Sequence, residues 1–584
     1  MKALENFGFV SGMNTSTASR DYKGVGIRNF ARSSMTRREA LTAAAAAMPL
    51  AVQAATPPQI PKETIEAHDK AATYYMEKQI TDPTHRWRGF IPTEDGLYYS
   101  GTGLGIAEVL GSAYLCPQSK YYKDKQVLSR IKLAMETVVR EMTPDGNIWL
   151  PTTNFNSPPD TSFAMFTAGT TAANAKTYDA PELFEVMRPF LEHAKKGLLK
   201  GGVHTPNHRW MMCGALAALH RAMPDPALIL RAEQWLAEGI DQDADGQYTE
   251  RSFGTYNTVV DKGLLVTAIN MNKPELFAYV RRNLDAMLYM MHADGEVITE
   301  ISHRQDAFER FTIAGYWLPL AYLAVHDNNG QYARLANTFK ASASLGWLLE
   351  YPELAKLSSI TEKPLPEDYQ KHFPVIGVTR IRHRAMSASV FEKIPLFFAI
   401  RKGEAVINGV RFASAFFGKG QFSSQTFQKT PEGWLLEQKL EGPYFQPFTP
   451  ARKITVDDFD ATRHERRQSE VSHLTQSVLI TETPKSFRLH FRATGTRDVP
   501  VAIEVNFREG GELTGVTKLK QPDAYLLESG AATYTMGKDT LRIGPGKSAH
   551  RYVEIRGALK KLSGPSLFIT AVTPVDQVVE ISWV

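Results

Sequence analysis

The feature that most constrains this chain is a unit that recurs through its first three-fifths. Each unit is a helix, a turn pair containing glycine, a short irregular stretch and a second helix. The turn pairs are Asp145-Gly146, Gly201-Gly202, Asp245-Gly246 and Asp294-Gly295, at intervals of 56, 44 and 49 residues. Apolar residues at helical spacing mark Ile65 to Ile80, Gly105 to Cys116, Tyr121 to Met142, Pro181 to Leu199, Trp210 to Met223, Pro226 to Ile240 and Pro274 to Met291. Several of these open on a proline just behind an Asp or Asn, as at Asp225-Pro226 and Asn272-Lys273-Pro274, which is where a helix tolerates proline. A single helical hairpin cannot bury its own apolar face, but a stack of them can. A period near 50 residues therefore predicts a toroid or solenoid of helical hairpins.

After about Leu365 the texture changes. Runs rich in β-branched and aromatic residues take over at Val375 to Ile381, Ala385 to Phe391, Leu396 to Ala399, Val406 to Phe416, Trp434 to Lys439, Val478 to Glu482, Phe487 to Ala493, Val501 to Phe507, Thr540 to Ile543 and Ser566 to Ala571. Turn residues separate many of them, the pattern of an antiparallel β-sandwich. The expected organisation is an (α/α) toroid over residues 55–357, a linker over 358–368 with two prolines among charged residues, and a β-sandwich over 369–584.

Residues 1–54 are predicted to be an export signal. Thr36-Arg37-Arg38-Glu39-Ala40-Leu41 sets an arginine pair before the weakly apolar run Leu41 to Val52, and Val52-Gln53-Ala54 offers a small-residue cleavage site. This resembles a twin-arginine signal and implies a periplasmic or secreted protein. Without that segment the chain holds 60 Lys and Arg against 59 Asp and Glu, so there is no basic footprint for nucleic acid. No apolar run reaches the length that spans a membrane. Cys116 and Cys213 lie in apolar helical sequence, either as a pair or as two buried thiols.

Three constellations stand out. In Thr205-Pro206-Asn207-His208-Arg209-Trp210, Asn207 is placed to cap a helix, and His208 and Arg209 then fall in its first turn. The helix dipole disfavours a cation there unless an anion is near, so the pattern suggests a carboxylate ligand. The second runs from Asp241 to Asn257 and carries Glu250, Arg251 and Tyr256. A tyrosine hydroxyl, which ordinarily titrates near pH 10, accepts a proton only beside positive charge, and Arg251, His208 and Arg304 are candidates for that charge. The same stretch holds Asp241, Asp243 and Asp245 as half of a calcium loop, but Ser252 stands at the twelfth position where a glutamate is expected. An acidic surface turn is the simpler reading, and neither a metal nor another cofactor is required. The third constellation is Glu300-Ile301-Ser302-His303-Arg304-Gln305-Asp306, with His303 and Arg304 as further substrate-binding candidates.

The run from Asp245-Gly246 to Gly254-Thr255-Tyr256-Asn257 and on to Gly263-Leu264 resembles the loop that carries the catalytic tyrosine in hyaluronate, chondroitin and xanthan lyases. Ile301-Ser302-His303-Arg304 is similar to that family's arginine-bearing I-S-R segment, and Asn207-His208 to the Asn-His pair of alginate lyases and the heparinase II/III group. The family's histidine ahead of the tyrosine is absent, with Arg251 or Ser252 in its place. The resemblance implies a toroid-plus-sandwich polysaccharide lyase acting on a uronic-acid glycan. Tyr256 would be base and acid, Asn207 and His208 would neutralise the uronate carboxylate, and Arg209, Trp210, Glu250, Arg251, His303 and Arg304 would surround the substrate. Two rivals use other residues. A glycoside hydrolase would need paired carboxylates from among Asp160, Asp245, Glu250 and Glu300, and a non-catalytic glycan binder would stack sugars on Trp149, Trp210 and Tyr316.

Overall fold

In the computed structural model, which describes residues 57–583, the helices fall into two kinds that differ in what they bury. The outer kind is amphipathic. Helix α1 spans Lys62–Lys78, and α2, the first inner helix, Ser100–Leu115. They are followed by α3 (Lys125–Glu141) and α4 (Pro158–Thr177), α5 (Pro181–Lys200) and α6 (Pro206–Ala222), and α7 (Pro226–Leu236) and α8 (Tyr256–Asn270). After these come α9 (Phe277–Met287) and α10 (Trp317–Asp327), then α11 (Gly330–Thr338) and α12 (Leu345–Glu350). Outer α3 buries Val127, Ile131, Ala134, Met135 and Val138 on one stripe. Inner α4, α6 and α8 are buried on almost every side.

Close packing of the inner ring depends on glycine. A Cβ on Gly263 of α8 would lie 2.4 Å from the Trp210 carbonyl oxygen of α6. One on Gly214 of α6 would lie 2.8 Å from the Phe166 ring of α4 and 3.1 Å from Gly263 Cα. Any side chain at either position would push adjacent inner helices apart. The ring closes where the Asn174 amide of α4 donates to the Gly346 carbonyl of α12 at 3.2 Å and the Tyr178 hydroxyl to that of Leu349 at 2.5 Å. Helix starts follow their caps: Asp124, Ser157 and Asp225 each accept a backbone N–H from the first turn, and Pro158, Pro181, Pro206 and Pro226 occupy first positions.

The repeat is real, but its members differ from the expectation. Asp145-Gly146, Asp245-Gly246 and Asp294-Gly295 adopt one turn, with the glycine at positive φ and its N–H donating three residues back. Asp95-Gly96 forms the same turn, whereas Gly201-Gly202 does not, because helix α5 runs directly into Gly201. Each of these turns precedes an inner helix, so the N-termini of the inner helices gather on one face of the toroid. Three of the inner helices, α4, α8 and α10, are not among the helices marked in the sequence.

From Asp368 onward the chain forms two large sheets. The nine-stranded sheet runs Thr517–Lys518, Ala524–Leu526, Ser566–Val572, Pro500–Phe507, Ala405–Ser414, Phe398–Lys402, Met386–Phe391, Val378–His383, Asp368–Phe373. The eight-stranded sheet centres on Val575–Trp583, Ser486–Gly495, Gln468–Thr483 and Trp434–Phe445. All pairings between these strands are antiparallel except that of Ala524–Leu526 with Ser566–Val572. Phe412 of one sheet and Phe491 of the other meet at 5.3 Å in the sandwich core.

The helical core runs on into Phe373, Val378 and Phe391 of the first sheet and Ile376 of the turn beside them, so the two parts share a buried face. Buried Arg380 donates to the Tyr289 carbonyl at 3.1 Å, and Glu296 holds Arg401 at 3.2 Å together with Arg508. Cys116 and Cys213 are both buried free thiols. Among the described residues no helix is long and apolar enough to cross a membrane. The arginine pair and the cleavage site lie outside the described residues.

Candidate active site

The N-termini of the inner helices surround a cavity of about 1050 Å³. Tyr99 and Thr102 of the α2 start, Asp160 and Phe163 of α4, His204 and His208 at α6, Tyr256 of α8 and the loop from Arg304 to Thr312 form its mouth. Trp149 and Asn154 come from the two-stranded hairpin between α3 and α4.

One chain of polar contacts ties the sequence motifs together. The Asn207 amide donates to both oxygens of Glu250, at 3.0 and 2.8 Å, and to the Thr205 hydroxyl at 3.1 Å. Arg304 Nε lies 3.7 Å from Glu250 Oε1, and the Arg304 guanidinium sits 4.9 Å from the centre of the Tyr256 ring. The neighbouring Gln305 amide donates to the Tyr256 hydroxyl at 2.5 Å. Tyr256 is the first residue of α8, and a second chain fixes its backbone. Its N–H donates to Ser252 Oγ at 2.9 Å, Ser252 Oγ donates to Asp306 at 2.7 Å, and Asp306 also accepts the Gly254 N–H at 3.2 Å and the Ser302 hydroxyl. Asp306 thus joins the tyrosine loop to the arginine loop.

The electrostatics follow from burial. Burial raises the Glu250 carboxyl, with Asn207 and Arg304 pulling the other way. Burial drives His208 down to about 3, helped by His204 and the Arg304 charge, so its imidazole is neutral near pH 7. His208 Nδ1 is buried and makes no hydrogen bond, and the ring meets His204 edge-on at 4.7 Å. The permanent positive charge at this wall is therefore Arg304, not His208.

Several expected roles change. Thr205, not Asn207, is the N-cap of α6; Asn207 is the second helical residue, buried behind the cavity wall with Glu250. The cation in the first turn needs no ligand to explain it, because Arg209 pairs with Glu238 and Asp241, each at 3.1 Å. Trp210 is fully buried and donates to Asp241 at 2.7 Å, so it is core and not a sugar platform. Arg251 reaches the Val375 carbonyl of the β domain at 3.4 Å, and exposed His303 hydrogen-bonds through its backbone N–H to the Glu250 carbonyl at 3.1 Å; neither lines the cavity. The calcium half-loop is not assembled. Asp241 holds Trp210 and Arg209, Asp243 holds the N–H groups of Asp245 and Gln247, and Asp245 accepts the Val375 and Ile376 N–H groups at 2.7 and 2.9 Å. Among the described residues no cluster of His, Cys, Asp or Glu is arranged to hold a metal.

The rival residue sets fare no better. Of Asp160, Asp245, Glu250 and Glu300 only Asp160 lines the cavity, and it is bound by Asn154 at 2.9 Å and by Ser157. Of the stacking candidates Trp149 lines it, while Tyr316 is buried with its hydroxyl on the Phe253 carbonyl at 2.7 Å. The sequence reading missed His204, Asn154, Glu108, Lys262 and Trp347 in the lining, and the Gln305 contact to Tyr256.

A toroid of helical hairpins followed by a two-sheet β domain, with a cleft at the toroid mouth, is the architecture of a class of polysaccharide lyases. No family model matches the sequence, and no curated protein matches it. Among solved structures the chain is similar to a heparinase III, with 11% identity and a TM-score of 0.51 over 91% of this chain and 87% of that one. It is also similar to the Streptomyces coelicolor A3 chondroitin AC lyase in complex with chondroitin sulphate, with 12% identity and a TM-score of 0.51 over 91% and 80% of the two chains. A Paenibacillus xanthan lyase gives 10% identity and a TM-score of 0.50 over 89% of this chain and 57% of that one. At such identities the likeness defines the fold, and residue roles rest on this chain's own geometry.

Proposed function

We propose that this protein is a polysaccharide lyase that cleaves a uronic-acid glycan by β-elimination, exported by its twin-arginine-type segment to the periplasm or beyond. One observation carries the reading: Arg304 stacks over the Tyr256 ring at the cavity mouth and is held there by buried Glu250. Removing the proton α to a carboxylate is hard until the carboxylate's charge is countered. Arg304 supplies that charge, and His208 offers a neutral ring nitrogen beside it. Tyr256, as the phenolate, takes the C5 proton. The C–H electron pair forms the C4–C5 double bond, the C4–oxygen bond breaks, and the proton passes from Tyr256 to the departing glycosidic oxygen. Asn207 acts one step back, by holding Glu250.

The test is incubation of the protein with heparosan, chondroitin, hyaluronan, xanthan and alginate, following the ultraviolet absorbance of an unsaturated uronate. Tyr256→Phe keeps the ring under Arg304 and removes only the hydroxyl, so turnover is expected to fall by about 10²-fold or more. Near-normal turnover in a folded Tyr256→Phe protein, or saturated products from the wild type, would refute the assignment.

A further inference from the structure

The cavity does not end at the residues the elimination uses. Glu108 sits eight residues into α2 and Lys262 six residues into α8, and both line the cavity. At 1.5 Å per residue they lie about 12 and about 9 Å along those helices from the mouth. Both are charged residues that face the cavity, and neither makes a hydrogen bond or close ion pair through its side chain among the described residues. Tyr75 of α1 lines the same region, and its hydroxyl is 3.7 Å from where a Cβ on Gly105 would stand. Burial pushes the Glu108 carboxyl up to about 7 and lowers Lys262, each partly restored by the other's charge.

Apolar residues line the cavity together with this pair: the Phe166 and Trp347 rings meet edge to face at 5.4 Å, and Met211 packs in the same cluster.

We propose that Glu108, Lys262 and Tyr75 form a second sugar subsite in the cavity, which takes an uncharged, hydroxylated ring next to the reacting uronate. The proposal rests on reading the cavity mouth as a uronate lyase site. The chemistry selects the ring. A carboxylate and an ammonium facing one space cancel in net charge, so the subsite offers one acceptor and one donor to neighbouring hydroxyls and no net attraction for an anion. A second uronate would meet Glu108 as a like charge. Trp347 and Phe166 supply the apolar surface that a sugar ring's C–H face packs against.

The test is calorimetric binding at pH 8 of tetrasaccharides from heparosan, chondroitin and hyaluronan, in which uronate and amino sugar alternate, against a tetramer of mannuronate. It uses the full chain, Glu108→Gln and Lys262→Met. At least one alternating tetrasaccharide is expected to bind the wild type tenfold or more tighter than the mannuronate tetramer, and both variants to weaken it threefold or more. The proposal is overturned if no alternating tetrasaccharide binds, if either variant changes affinity less than threefold, or if Glu108→Gln tightens binding, which would mean that the subsite holds an anion. Binding that behaves as expected without any ultraviolet product keeps the subsite and removes the lyase chemistry instead.

Discussion

Asn207 gives the sharpest test of the site's construction, because its two possible roles differ in magnitude. As a helix cap, its loss would cost about 1 kcal/mol. In the structure it is the hydrogen-bond donor to a buried carboxylate, its amide facing both Glu250 oxygens at 3.0 and 2.8 Å while Arg304 Nε stands off at 3.7 Å. A hydrogen bond to a charged group contributes about 1.5–3 kcal/mol, and the buried partner left behind adds its own desolvation cost. Asn207→Ala should therefore destabilise the toroid by about 3 kcal/mol, or about a hundredfold faster opening-limited exchange of α6 and α8 amides by native-state hydrogen exchange. The pH dependence carries the sign. Burial raises the Glu250 carboxyl above its unfolded value, so stability from this group is full below the unfolded pKa and lost as pH rises through the folded one. Removing Asn207, which opposes that rise, moves the folded value further up. The deficit of Asn207→Ala should thus be larger at pH 8 than at pH 5. Replacing both partners, as Asn207→Leu with Glu250→Leu, should recover much of the loss. A cost near 1 kcal/mol that is the same at both pH values would return Asn207 to the role of a cap and refute the argument.

Asp306→Ala breaks the link from the arginine loop to the tyrosine loop; kcat should fall about tenfold or more with KM changed less than twofold, and Asp306→Asn should recover part of it. Equal losses in KM and kcat, or none, would deny it a positioning role. Replacing Arg37 and Arg38 by Lys should leave precursor in the cytoplasm, measured by fractionation and immunoblot, and normal export of that variant would exclude the twin-arginine route.

What could be read in the sequence follows from what each element buries. Outer helices such as α3 and α5 face water on one side, and that asymmetry writes a period into the sequence. Inner α4 reads PPDTSFAMFTAGTTAANAKT, buried almost throughout, and so carries no period at all. Its signal is composition: small residues that let helices approach closely, as Gly169 does against Ala218. Many β-domain strands were legible because two sheets each bury one face, giving the alternation seen from Leu474 to Ile480, but Ala532–Met536 and Val575–Trp583 went unmarked. Strand Asp368–Phe373 was not legible either, because it is a mostly exposed edge. Asp95-Gly96 was in plain view but preceded the first recognised repeat.

The site was harder to read for a reason that helix geometry makes plain. Successive helical residues point about 100° apart, so Asn207, His208, Arg209 and Trp210 cannot all face one ligand. They divide four ways: Asn207 to Glu250, His208 to the cavity, Arg209 outward to Glu238 and Asp241, and Trp210 into the core. Counting by threes and fours instead of by ones would have found the lining. On α8 the cavity takes Tyr256, Val259 and Lys262 with Thr258 beside them, and on α2 Gly101, Leu104, Gly105 and Glu108 with Thr102 and Val109 beside them. A lone charge on such a stripe of a helix with no water-facing side has no solvent to explain it. Lys262 and Glu108 were therefore the readable marks of the cavity, and their meaning depended on knowing that α2 and α8 stand on the inner ring.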